Sequence, residues 1–139
     1  MTADHVHAVA ELEKLCFRDP WSEKSVASEL TNKLALWLVA LEEDTVVGYI
    51  GSQTVLDESD MMNVAVHPDH RRKGVGEALV CALAVELSKL GSVSLTLEVR
   101  ATNKPAKQMY EKLGFMQVGR RPNYYRNPKE DALILRKML

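Results

Sequence analysis

At 139 residues, 46% hydrophobic and 27% charged, with a formal net charge of −1, the chain has the makeup of an ordinary globular protein. That length suits one domain, residues 1–139, whose core buries roughly two-thirds of the surface of the unfolded chain without disulfide or metal. The near-neutral balance excludes a general electrostatic affinity for nucleic acid, so any phosphate binding has to be local.

Nothing in the sequence reads as a signal peptide or as an apolar run of membrane-span length, which makes the cytoplasm the expected compartment and a membrane no partner. Cys16 and Cys81 have neither metal nor redox spacing and sit among apolar residues, so both are expected as buried, reduced thiols. In chain order, Val6, Val9, Leu12 and Cys16 mark one stripe of a first helix, and Ser22 caps a second, short one. The run 34–57 reads as two strands joined by a tight turn at 43–45, and "MMNVAV" as a short buried strand ended by Pro68. Val75, Leu79, Leu83, Leu87 and Leu90 recur at helical spacing until Gly91 stops them. "SVSLTLEVR" alternates as a strand, with Leu95, Leu97 and Val99 on one face and Thr96, Glu98 and Arg100 on the other. A helix follows, with Pro105 in its first turn and Gly114 past its end, and strands at 116–120 and 132–138 finish the chain. The order ααβββαβαββ predicts a mixed α/β domain with helices packed over one sheet.

The stretch "HPDHRRKGVGEALV" sets a basic glycine turn before a helix start. Helix-initial N–H groups have no intrahelical partner, Gly74 and Gly76 let a ligand approach the backbone, and Arg71, Arg72 and Lys73 bring charge against phosphate. The run is not a P-loop, and Leu79 stands where the dinucleotide fingerprint needs a small residue. On these residues alone an anion site and a solvated basic loop stand level. "HPDH" lacks a third ligand and reads as a connector rather than a metal site.

"RRKGVG" resembles the acetyl-CoA signature of the GNAT superfamily of N-acetyltransferases. Together with "PWSEKS", "LEVRATNKPAKQMYEKLGF" and "NYYRNPKEDALILRKML", it resembles most closely the ribosomal-protein-alanine branch, the RimI type. The resemblance implies the acyl-CoA N-acyltransferase fold, a mostly antiparallel sheet flanked by helices, here with the first strand short or absent. It implies acetyl-CoA as co-substrate, gripped at its pyrophosphate by Arg71, Arg72, Lys73, Gly74, Val75, Gly76 and Glu77. Val64, Ala65 and Val66 would run along its pantetheine arm and Asn103 would contact it; Asn103 reads equally as a helix cap. The acceptor implied is a protein N-terminus, that of a small-subunit ribosomal protein.

Acetyl transfer to an amine needs a base, because an α-amine with a reference pKa of about 8 is mostly protonated at neutral pH, and an acid for the departing thiolate. On its strand alone, Glu98 reads as a solvent-facing carboxylate paired with Arg100, and Tyr110 as part of an apolar helix face. The resemblance makes Glu98 the proton acceptor and Tyr110 the proton donor, with direct transfer and no cysteine intermediate. Trp21, Tyr124 and Tyr125 are expected in loops where aromatics clasp a peptide, with Trp21 alternatively a hydrophobic staple. Glu130 and Asp131 stand as attractors of a basic peptide or as solvated charges. The rival readings are an acetyltransferase for a small amine or a lysine side chain, and a non-catalytic CoA-binding module.

Overall fold

A computed structural model describes residues 1–126 and 128–139. One six-stranded sheet runs through it in the order β1-β2-β3-β4-β6-β5. Its strands are β1 (Ala35–Glu42), β2 (Thr45–Val55), β3 (Glu58–Val66), β4 (Ser94–Arg100), β5 (Met116–Tyr125) and β6 (Glu130–Met138). The helices are α1 (Val6–Cys16), α2 (Glu23–Ser28), α3 (Val75–Lys89) and α4 (Lys104–Lys112). The sheet is antiparallel except where β3 meets β4, and no strand precedes α1 among the described residues. The ααβββαβαββ order is the one expected.

Two cores clamp the sheet. Leu79, Leu83 and Leu87 of α3 and Tyr110 of α4 pack with Leu95, Leu97, Val99 and Leu135 on one face. Val9 and Leu12 of α1 and Val26 of α2 pack with Trp37, Tyr49 and Ala65 on the other. Because strand side chains alternate, Leu97 and Val99 go under α3 and α4 while Glu98 points to the α1 face.

The parallel β3–β4 ladder holds only from Glu58↔Ser94 to Asp60↔Thr96. That closed end is pinned by hydroxyls, half-buried Thr54 Oγ1 to buried Ser59 Oγ and Ser59 Oγ to buried Ser92 Oγ, both at 2.7 Å. Just beyond, β3 slips against β2, where Gly51 faces Asn63 but Ser52 faces Met61, leaving Met62 as the extra residue of a β-bulge. The bulge bends β3 and ends its pairing with β4, so the two strands part and a gap opens in the sheet.

Several expectations need correction. Cys81 is exposed and Cys16 half-buried, because the buried stripe of α3 runs through Leu79, Val80, Leu83, Ala84 and Leu87 and leaves Cys81 outside it. Leu90 caps α3 at 73% exposure instead of extending the stripe. The strand around "MMNVAV" starts earlier, at Glu58, and β5 continues to Tyr125 instead of stopping at Arg120. As the sheet's edge strand, β5 tolerates Pro122 and a register shift between Arg121 and Tyr125.

Candidate active site

Two cavities enter the gap from opposite sides. The first, about 610 Å³, is a trench lined by Val64, Ala65 and Val66 of β3, by Arg71, Arg72, Gly74, Val75, Gly76 and Glu77, and by one flank of α4. The second, about 500 Å³, is a cleft lined by residues 61–64 of β3, 98–100 of β4, Asn103, Tyr124 and Tyr125. They share Phe17, Val64, Ala106 and Tyr110. The gap in the sheet is therefore a passage with Tyr110 at its waist.

The trench is mostly backbone chemistry. Gly74 takes φ +79, a left-handed conformation costly for residues with a Cβ, and turns the chain into α3. Ala78 N–H is the first to close a bond onto that turn, donating to Gly74 O at 3.0 Å. The amides of Val75, Gly76 and Glu77 thus have no carbonyl within the helix to bond, and the helix dipole adds its positive end there. A Cβ on Gly76 would meet only Val66 Cγ2, at 3.7 Å, so the space beside it is open. Arg71 donates from Nε to Val66 O at 3.1 Å and reaches Cys16 Sγ at 3.6 Å, which holds it along the trench wall. Lys73 lines a separate hollow between α3 and β1.

The cleft is side-chain chemistry. Glu98 pairs with Arg121 Nε at 3.5 Å, not with Arg100. Arg100 instead pairs with Glu130 Oε1 at 3.2 Å and lies 4.3 Å from the centre of the Tyr125 ring. Thr102 donates to Glu130 Oε2 from its hydroxyl at 2.8 Å and from its backbone at 3.2 Å. The Thr102 hydroxyl, with Arg100 behind it, holds Glu130 below the usual carboxylate range. Asp131 takes the Asn123 amide at 2.8 Å and Arg120 Nε at 2.6 Å, and is likewise held low, by the amide first. Both acids are committed inside the fold, which corrects the picture of free attractors for a basic peptide.

Tyr110 belongs to both the core and the passage. It is 5% exposed and sits edge-on to Phe115 at 5.4 Å, and burial, with a smaller push from Tyr125, raises its phenol to about 12. It is therefore protonated throughout the neutral range. Tyr125 is pushed to about 12 as well, by burial first and then by Tyr124 and Glu98.

The structure thus brings Glu98, Tyr110, Tyr124 and Tyr125 together, the two last on β5 and not in loops. It does not bring Trp21 there: that ring packs 5.4 Å from Trp37 in the α1-side core. Asn103 accepts from Ala106 N at 3.2 Å as the cap of α4 and lines the cleft, not the trench. His67 accepts from Asp69 N at 3.1 Å, and His70 Nδ1 lies 2.7 Å from Glu42. Sequence reasoning missed Phe17, Met61, Asn63 and Ala106. Phe17 was within reach as the residue just past the α1 stripe, but the bulge that turns Asn63 has no sequence signature.

A model of the Acetyltransferase (GNAT) family matches residues 6–115. The [ribosomal protein bS18]-alanine N-acetyltransferase of Escherichia coli (strain K12) is 38% identical over 92% of this chain and 87% of its own length. Its counterpart in Salmonella typhimurium is 40% identical over the same shares. The crystal structure of the ribosomal-protein-S18-alanine N-acetyltransferase from Escherichia coli superposes with a TM-score of 0.90 at 36% identity, covering 99% of this chain and 90% of that one. The structure of Ard1 from Thermoplasma volcanium, at 23% identity and a TM-score of 0.86, shares the fold.

Proposed function

The chain belongs to the GNAT acetyltransferase family, and on that premise we propose that it moves the acetyl group of acetyl-CoA to a protein's N-terminal α-amine, the alanine terminus of a small-subunit ribosomal protein, in the cytoplasm. The observation that carries this reading is the passage: one cavity with anion-seeking amides and another with a carboxylate meet at a protonated phenol. The names borne by relatives at 38–40% identity support the acceptor class.

In this reading the pyrophosphate lies against the free amides of Val75, Gly76 and Glu77, with Arg71 and Arg72 supplying charge. The pantetheine arm follows Val64, Ala65 and Val66 and brings the thioester to the waist. The acceptor enters through the cleft between β3 and the Tyr124–Tyr125 pair, its ammonium competing with Arg121 for Glu98. Glu98, directly or through a water, takes the proton that keeps the amine from attacking. The freed lone pair forms the C–N bond, the C–S bond breaks, and Tyr110 protonates the departing thiolate; the second proton of the former ammonium leaves the acylated nitrogen to solvent, which returns a proton to the phenolate. The base comes from one face of the sheet and the acid from the other, so neither has to cross the reacting carbon. Cys16 Sγ, held between Val66 O and Arg71, takes no part in transfer.

The test is incubation with acetyl-CoA and a panel of peptides carrying both a free N-terminus and an internal lysine, with the acetyl group located by mass spectrometry. Acetyl on the α-amine supports the reading. Acetyl on lysine alone replaces it with the side-chain reading, and no acetyl on any amine leaves a CoA-binding module.

A further inference from the structure

Glu13 is a charged residue that transfer chemistry leaves without work. It sits on α1 at 0% exposure, inside the apolar packing between α1 and the sheet. Burying a carboxylate is expensive unless its oxygens are bonded. Glu13 Oε1 accepts from Asn63 Nδ2 at 2.7 Å, and the buried Tyr49 hydroxyl faces the same carboxylate; burial first, and then that carboxylate, push the phenol up. The charge-assisted bond from Asn63 ties the carboxylate to a residue on the wall of the cleft.

The β3 bulge makes this contact. Met61 and Val64, three residues apart, both pack toward the α3 side, an arrangement that strict alternation forbids and one extra residue allows. Asn63 is thereby turned to the α1 face, the face that carries Glu98 on the neighbouring strand. A carboxylate can only accept hydrogen bonds, whereas an amide offers a donating and an accepting end. Glu13 therefore fixes which end is which: the NH2 of Asn63 faces the buried acid, and its carbonyl Oδ1 is left for the cleft. Asn63 directly precedes Val64, which lies at the junction of the two cavities, so this acceptor stands beside the place where the reacting nitrogen must arrive.

We propose that Asn63 Oδ1, oriented by Glu13, accepts a hydrogen bond from the first backbone N–H of the acceptor peptide, making Asn63 a specificity-determining residue and Glu13 its positioning residue. This rests on the N-terminal reading above. A peptide N-terminus carries that N–H three bonds from its amine. A lysine side chain or a simple alkylamine carries only methylenes there, so the acceptor oxygen selects α-amines of peptides over both.

The experiment pairs an alanine-led peptide with the same peptide N-methylated at the amide of its second residue, which deletes the one donor in question. The wild-type protein should favour the unmethylated peptide roughly tenfold in kcat/KM, the worth of one hydrogen bond. Folded Asn63→Ala should lose about that factor on the unmethylated peptide and bring the ratio near one. Glu13→Gln, whose amide can bond either end of Asn63, should lower the ratio partway. The exchange Glu13→Gln with Asn63→Asp restores an outward-facing oxygen and should restore the ratio. Melting temperatures separate this from a packing role, which would weaken both peptides alike and leave the ratio where it was. An Asn63→Ala variant that is folded and still discriminates between the two peptides overturns the inference alone. A wild-type protein that acetylates neither α-amine but does acetylate lysine or a small amine overturns the N-terminal reading first, and this inference with it.

Discussion

The trench takes most of its wall from one continuous stretch, residues 64–77, whereas the cleft is assembled from the end of α1, β3, β4, the cap of α4 and the far end of β5. In the trench the working groups are backbone amides freed by a left-handed glycine and a helix start, with arginines at the rim. In the cleft they are individual side chains, each held by another: Glu98 by Arg121, Arg100 by Glu130, Asn63 by Glu13. A backbone site depends on chain direction and tolerates most side-chain changes. A side-chain site is sensitive one residue at a time, and its failures should be chemical before they are structural.

The largest effects should therefore come from the cleft side of the passage. Glu98→Gln keeps the shape and abolishes proton acceptance, so turnover should fall by roughly two to four orders of magnitude while acetyl-CoA affinity holds. Activity within a few-fold of wild type would make Glu98 a surface carboxylate. Tyr110→Phe keeps the ring against Phe115 and removes the phenol; single-turnover acetyl transfer should slow by about a hundredfold with near-normal CoA binding. Because burial lifts this phenol to about 12, the protonated acid persists well above the ordinary tyrosine range. The wild-type rate should then show no fall from Tyr110 ionisation at pH 10, and a limb appearing there would assign the acid elsewhere.

The trench predicts a smaller and different failure. Gly76→Glu sets a carboxylate where the structure leaves open space beside Val66, so the fold should keep its melting temperature. Acetyl-CoA affinity should drop by roughly tenfold or more, since the added charge opposes both the helix dipole and the phosphates. Calorimetry showing unchanged affinity in the folded variant would remove the pyrophosphate from this turn.

That same contrast explains what the sequence disclosed. Element order, the Ser22 and Asn103 caps and the glycine turn were legible because each is local: a few adjacent residues and one periodicity determine them. Glu98 and Tyr110 were visible only through a family pattern, since a polar strand position and an apolar helix face look the same in proteins without catalysis. The β3 bulge depends on the pairing of two strands, and the burial of Glu13 and the partner exchange between Glu98–Arg121 and Arg100–Glu130 join residues more than 20 positions apart in sequence. Tyr124 and Tyr125 were expected in loops beyond a strand ending at Arg120, whereas β5 runs on to Tyr125 because its place at the edge of the sheet tolerates Pro122.

Glu130 offers the finest distinction between a charge that attracts a substrate and one that props the wall. If it attracted the peptide, Glu130→Ala would raise KM chiefly for basic acceptors and leave neutral ones alone. In the structure its oxygens are taken by Thr102 and Arg100, and Arg100 in turn covers the Tyr125 ring and donates to Arg126 O and Pro128 O at 3.3 and 3.2 Å. Removing Glu130 should therefore loosen Tyr125 and raise KM by a few-fold for every peptide, whatever its charge, with kcat little altered. Glu130 also has a defined pH dependence. Its carboxyl is depressed in the fold, so the support it gives is complete above the ordinary carboxylate range and fades only as pH falls through the lowered value. Between about pH 5 and 8 the wild-type and Glu130→Ala proteins should keep a constant KM ratio. A ratio that grows with the positive charge of the peptide would make Glu130 part of the acceptor's binding surface.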